Sequence, residues 1–144
     1  MAIVRQFEEL KAWQEGREVA KMIYAVTRAG EFAKDFGLKD QIQRAVVSIN
    51  SNIAEGFERD SSAEFVKFLG YAKGSAGEVR SQLTTACDIG YLTYPEFEAL
   101  VEKVKFVSAL ITRLRTSVLK QDKPGLRWKS PETFQSCNLE TLQP

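Results

Sequence analysis

Glu55 and Glu58 stand three residues apart in a helical pattern, a spacing that sets two carboxylates near one face and would suit general acid–base chemistry. Arg44 and Arg59 share the neighbourhood, so a salt-bridged polar seam is the stronger reading of the pair. No nucleophile stands beside a base. Histidine is absent from all 144 residues. That excludes Ser-His and Cys-His pairs, imidazole-bound zinc and the Glu-x-x-His di-iron sites of helical bundles. Cys87 and Cys137 are far apart, and neither has a second cysteine nearby. Cys87 falls on an apolar helical face, so a buried thiol in a reducing cytoplasm is expected rather than a disulfide. These residue types point to no enzyme, no metal and no cofactor.

Phosphate recognition is better supplied. From Lys103 to Lys129 the chain carries Lys103, Lys105, Arg113, Arg115, Lys120, Lys123, Arg127 and Lys129 against one acid, Asp122. Such a local excess suits RNA or DNA phosphates, above all if an oligomer repeats it. The formal net charge is only +1, so a polyanion would be met by this patch and not by the whole chain. The competing explanation is that cations gather at a helix C-terminus, where the macrodipole is negative. Trp128, between Arg127 and Lys129, could stack a base or anchor the chain's tail in a groove.

A second constellation is polar but not catalytic. Arg44, Ser48, Asn52, Glu55 and Arg59 recur at helical spacing and form one face. Ala45, Val46, Ile49, Ile53 and Ala54 form an apolar face of the same helix. Small polar groups between an Arg and a Glu suit a packed or partner-facing surface. The next helix carries Gly70, Gly74 and Gly77, with Ser75 and Ala76 between them. Each interior glycine costs about 1 kcal/mol relative to alanine, so close backbone approach is expected there. The approach is either to another subunit or to the interior beside Ala72 and Ala76. A phosphate-binding glycine loop is not expected, because no strand precedes these residues and they lie mid-helix.

Four helices must position these groups. The first is expected from about Phe7 to Ala29, with Leu10, Trp13, Ala20 and Tyr24 on one stripe and Val19, Ile23 and Val26 beside it. Gly30 and Gly37 mark the first connection. The second helix runs from about Leu38 to Phe57, with Gly56 helping to end it. Ser61-Ser62-Ala63-Glu64 and Thr93-Tyr94-Pro95-Glu96 are capping boxes that open the third and fourth. Phe65, Leu69, Ala72, Ala76, Val79, Leu83 and Ala86, then Phe97, Leu100, Val104, Val107, Ile111, Leu114 and Val118, keep alternating steps of three and four. The expected fold is all-α, an antiparallel up-down-up-down four-helix bundle over 1–120 with an extended tail over 121–144. No apolar run reaches membrane-spanning length, so no membrane partner is expected. Glu8, Glu9, Glu15 and Glu18 would interrupt a signal sequence, so a cytoplasmic location is expected.

Two runs carry a family resemblance. Gly37-Leu38-Lys39-Asp40-Gln41-Ile42-Gln43-Arg44-Ala45-Val46-Val47-Ser48-Ile49-Asn50-Ser51-Asn52-Ile53-Ala54-Glu55-Gly56 resembles the signature of the bacterial four-helix-bundle proteins named after the 23S ribosomal RNA intervening sequences. Phe65, Phe68-Leu69, Ala72-Lys73-Gly74-Ser75 and Glu78 are similar to its second signature. The resemblance covers roughly residues 7–120. It implies a ring-shaped homopentamer and a genomic link to RNA. Through related accessory proteins of diversity-generating retroelements, it also implies a reverse transcriptase as a protein partner. Arg44, Ser48, Asn52, Glu55, Gly56, Gly74, Ser75 and Glu78 match the motif, as interface or structural residues, and no catalytic residue is implied. The chain departs from the pattern at Ala33 and Asn50, where many relatives have proline, and the tail lies outside the match.

Overall fold

The structure is a computed structural model, and residues 3–121 are described. Four helices account for most of them: α1 (Lys11–Thr27), α2 (Phe36–Glu58), α3 (Ser62–Ile89) and α4 (Tyr94–Gln121). Single 3-10 turns at Phe7–Glu9 and Phe32–Lys34 lead into α1 and α2. No strand forms among the described residues. Each helix packs on two others, with α1 and α3 both touching α2 and α4. Cross-links fix the directions. Moving forward along α2, Gln41, Ser48 and Gly56 meet Gln82, Ser75 and Phe68, in falling order along α3. Val66 and Lys73 likewise meet Arg115 and Ser108 of α4. This is the antiparallel bundle that the four periodic stripes require. The 121–144 tail lies beyond Gln121, outside the described residues.

The stripes of α3 and α4 are buried as read, except that Phe97 is only partly covered. The start of α3 is held by Ser61 Oγ, which accepts from the Glu64 N–H at 3.3 Å. Thr93 and Glu96 close a full reciprocal box at α4: Glu96 accepts from the Thr93 N–H at 2.8 Å, and its own N–H donates to Thr93 Oγ1 at 3.3 Å. Those bonds to its charged form hold the Glu96 carboxyl below its usual range. At the other end of α3, Gly90 takes a left-handed φ of 97°, and the Tyr91 N–H returns to the Ala86 carbonyl at 2.9 Å.

Three sequence expectations are corrected. Helix α1 begins at Lys11, not Phe7, because Leu10 is extended and turns the chain between the 3-10 turn and the helix. Its buried stripe is Ala12, Gly16, Val19, Ile23 and Thr27; Trp13, Ala20, Tyr24 and Val26 flank it, partly covered. Gly37 and Gly56 both lie inside α2, which starts after Asp35 and ends at Glu58. Cys87 is a free thiol but only half-buried; Cys137 lies outside the described residues.

Candidate interaction surfaces

The two sequence signatures meet across one seam. Ser48 Oγ of α2 and Ser75 Oγ of α3 share a hydrogen bond at 2.9 Å, and Asn52 Nδ2 donates to the Ser48 carbonyl at 2.8 Å and to Ser48 Oγ at 3.0 Å. Asn52 therefore orients the hydroxyl that bridges the helices. Further along, Gln82 Nε2 lies 3.4 Å from Gln41 Oε1 and from Glu78 Oε2, which ties the exposed Glu78 back to the seam. At the other end Arg59 reaches Glu55 at 3.0 Å and Glu64 at 3.6 Å, and its guanidinium covers the Phe68 ring 5.0 Å from the centroid. Arg44 pairs with Asp40 at 2.9 Å on the outer side of α2. Arg44, Ser48, Asn52 and Glu55 line one shallow shelf of about 620 Å³, with Tyr24 of α1 at its edge.

Of the paired carboxylates, Glu55 is engaged by Arg59 at 3.0 Å, as a salt-bridged seam requires. Gly56 serves packing: a Cβ there would come 2.6 Å from Phe68 Cβ and 3.1 Å from the Phe65 ring. The glycines of α3 separate by role. Gly70 lies beneath the Arg115 guanidinium, whose Nε donates to the Val66 carbonyl at 3.1 Å. Gly74 and Gly77 are exposed, and among the described residues a Cβ at either would meet nothing within 4 Å. Close packing inside the bundle therefore does not explain them.

The basic residues of α4 do not share one face. Lys103 turns toward α1 and forms an ion pair with Glu15, both side chains less than a third exposed. Arg115 turns the other way, onto α3. Lys105, Arg113 and Lys120 are exposed on the outer side, where Lys105 lies 3.8 Å from Glu102. Lys123, Arg127, Lys129 and Trp128 lie outside the described residues.

One pairing had no counterpart in the sequence reading. Asp35 caps α2 by accepting from the Leu38 N–H at 3.1 Å, and the Tyr91 hydroxyl donates to its other oxygen at 2.9 Å. The Leu38 N–H, then Tyr91, lower the Asp35 carboxyl below its usual range, and the same bond to Asp35 raises the Tyr91 hydroxyl. An Asp just ahead of a periodic apolar run is the signal that marks this cap. Among the described residues no group of acids and cysteine could hold a metal ion, and no helix is long and apolar enough to cross a membrane.

Comparison with known proteins follows the same lines. No curated protein matches the chain. Among solved structures, a protein of unknown function from the S23 ribosomal protein family of Bacteroides thetaiotaomicron is similar at TM-score 0.69 and 22% identity, covering 76% of this chain and 98% of that one. At that identity the likeness speaks for the fold alone. The sequence model of the 23S rRNA-intervening sequence protein matches residues 8–113, a span that holds all four helices apart from the last turns of α4 and both signature runs. The chain belongs to the 23S rRNA-intervening sequence protein family.

Proposed function

We propose that this protein is a non-enzymatic bundle that associates with nucleic acid through its phosphates. The observation that carries the reading is the charge asymmetry of the last part of the chain, eight cations against Asp122 between Lys103 and Lys129. Lys103 is engaged by Glu15 and Lys105 lies 3.8 Å from Glu102; Lys105, Arg113, Arg115 and Lys120 are the exposed described cations of α4. Arg115 donates to a backbone carbonyl, so its charge is not neutralised. Assembly into a homopentamer would multiply this surface fivefold, and a reverse transcriptase is the protein partner that the family resemblance suggests. Titration of labelled RNA and DNA at several salt concentrations tests the reading. Affinity should fall steeply as salt rises, because each phosphate contact releases counterions. Absence of binding at low salt would end it.

A second reading, a protein-interaction module indifferent to nucleic acid, is favoured by Gly74 and Gly77. Two exposed mid-helix glycines cost roughly 1 kcal/mol each, and nothing among the described residues occupies the space they leave. A second copy laid across α3 would occupy it. Sedimentation of the chain with and without RNA separates the readings, since a module of this kind assembles identically in both.

A further inference from the structure

The groove between α3 and α4 gathers cations from both helices. On α3, Lys73 bridges the two helices by donating to Ser108 Oγ at 3.0 Å. Arg115 crosses from α4 to the Val66 carbonyl and lies over Gly70. Neither has a carboxylate partner among the described residues, so the bonds fix their positions and leave their charges available. Many other cations of the bundle pair with acids: Lys21, Lys34, Arg44, Arg59, Lys67, Lys103 and, more loosely, Lys105. Further along the groove, Arg80 and Lys105 line a recess of about 540 Å³. Gly77, Ser81 and Thr84 keep its α3 wall low, and Tyr94 and Phe97 stand on its α4 wall with ring centroids 6.0 Å apart. Tyr94 is 64% exposed, so its ring face is open to a ligand.

We infer that this groove is a binding track for single-stranded nucleic acid, with Arg115 and Lys73 on the backbone phosphates and the Tyr94–Phe97 recess taking a base. The inference rests on the nucleic-acid reading above and adds α3, which that reading did not include. The two ends differ in charge, and the difference sets the polarity of roles. At the Arg115–Lys73 end neither cation has a carboxylate partner among the described residues. The recess also holds Glu98 and Glu102, and Glu102 lies 3.8 Å from Lys105. Those carboxylates repel a phosphate but accept from the exocyclic amino groups of a base. From Gly70 to Thr84 the track runs about 20 Å along α3, at 1.5 Å per residue. A duplex cannot lay one base into the recess without unpairing it, whereas a single strand offers its bases to a ring at once.

The test is fluorescence anisotropy with the full chain and labelled oligo-dA and oligo-rA of about twelve nucleotides, a length within the range of single-strand sites. The salt range is about 50 to 200 mM. The two cations placed on phosphates, Arg115 and Lys73, predict a log–log salt slope of roughly −1.4. Lys73→Gln should make that slope shallower by about 0.7, while Arg80→Gln, at the base recess, should weaken binding with a smaller change in slope. Tyr94→Ala should weaken single-strand binding about tenfold and leave duplex binding unchanged. Lys34→Gln, away from the groove, should change nothing. All four positions are exposed, and circular dichroism melting verifies that each variant folds. No binding by the unmodified chain overturns both the nucleic-acid reading and the track. Binding that survives Lys73→Gln and Arg80→Gln but falls with Arg113→Gln or Lys120→Gln overturns the track alone. Tighter binding of duplex, or equal competition by poly-glutamate, also overturns it.

Discussion

Asn50 of α2 fills a notch that exists only because residue 16 of α1 is glycine. A Cβ at Gly16 would stand 2.0 Å from Asn50 Oδ1, while Asn50 Nδ2 donates to the Trp13 carbonyl at 3.0 Å. The amide is thus wedged between two turns of α1, and its Oδ1 is buried without a hydrogen-bond partner. The contact sets how closely α1 and α2 approach.

Gly16→Ala should therefore destabilise the bundle by about 1–3 kcal/mol, the usual range for overpacking, despite the higher helix propensity of alanine. Asn50→Ala removes both the obstacle and the orphaned oxygen. In the double variant the cost of alanine at 16 should largely vanish, a coupling that a double-mutant cycle in urea reads directly. Simple additivity of the two changes would mean that the helices separate rather than clash.

Gly56 and Gly74 should respond oppositely to alanine. At Gly56 the new Cβ meets Phe68 Cβ at 2.6 Å, an atom fixed to the α3 backbone, so Gly56→Ala should cost about 1–3 kcal/mol. At Gly74 it meets nothing, so Gly74→Ala should gain up to about 1 kcal/mol and raise Tm by a few degrees. Thermal melts of both variants check this. A lower Tm for Gly74→Ala, together with a smaller species in sedimentation, would show that a second copy covers this face.

These glycines show where the sequence was legible. The four helices were readable because α3 and α4 keep unbroken apolar stripes and carry capping boxes that form as written at Thr93 and in half at Ser61. Helix α1 departs from the apolar pattern where its buried stripe passes through Gly16 and Thr27. Neither is an apolar type, and their burial depends on Asn50 and Gln43 from the neighbouring helix. The polar face of α2 was visible as a pattern, but its closure by Ser75 depends on the α2–α3 register, which one helix cannot encode. The basic cluster was likewise a count along one chain. The fold divides it, sending Lys103 to Glu15 and Arg115 over Gly70, in the groove where Lys73 of α3 bridges to Ser108.

That division gives a test of Lys103. Its ammonium is committed to Glu15 across the α1–α4 interface, with side chains 28% and 24% exposed. Lys103→Gln should lower stability by roughly 1 kcal/mol, between the values for exposed and buried pairs. It should leave nucleic-acid affinity and its salt slope unchanged. A weakened affinity at unchanged stability would place Lys103 on the phosphates instead.

Stability should also depend on pH at both extremes. Asp35 is held below its ordinary 3.8 by the Leu38 N–H and then by Tyr91, and Glu96 below its ordinary 4.5 by the Thr93 N–H and then its hydroxyl. A carboxyl lowered in the folded state contributes its stability above the unfolded value and loses it as pH falls through the folded one. Both caps therefore hold at neutral pH and weaken on acidification below those ordinary values. Tyr91 is raised above 10.0, chiefly by its bond to Asp35, so its contribution is present below that value and lost as pH climbs beyond it. Asp35→Asn removes one acid titration and the tyrosine's charged partner together. Urea melts across the pH range should show a smaller acid-side loss and an earlier, smaller alkaline one for the variant, while Glu96→Gln should alter the acid side only. An alkaline limb identical in the unmodified chain and Asp35→Asn would mean that the hydroxyl of Tyr91 does not rest on Asp35 in solution.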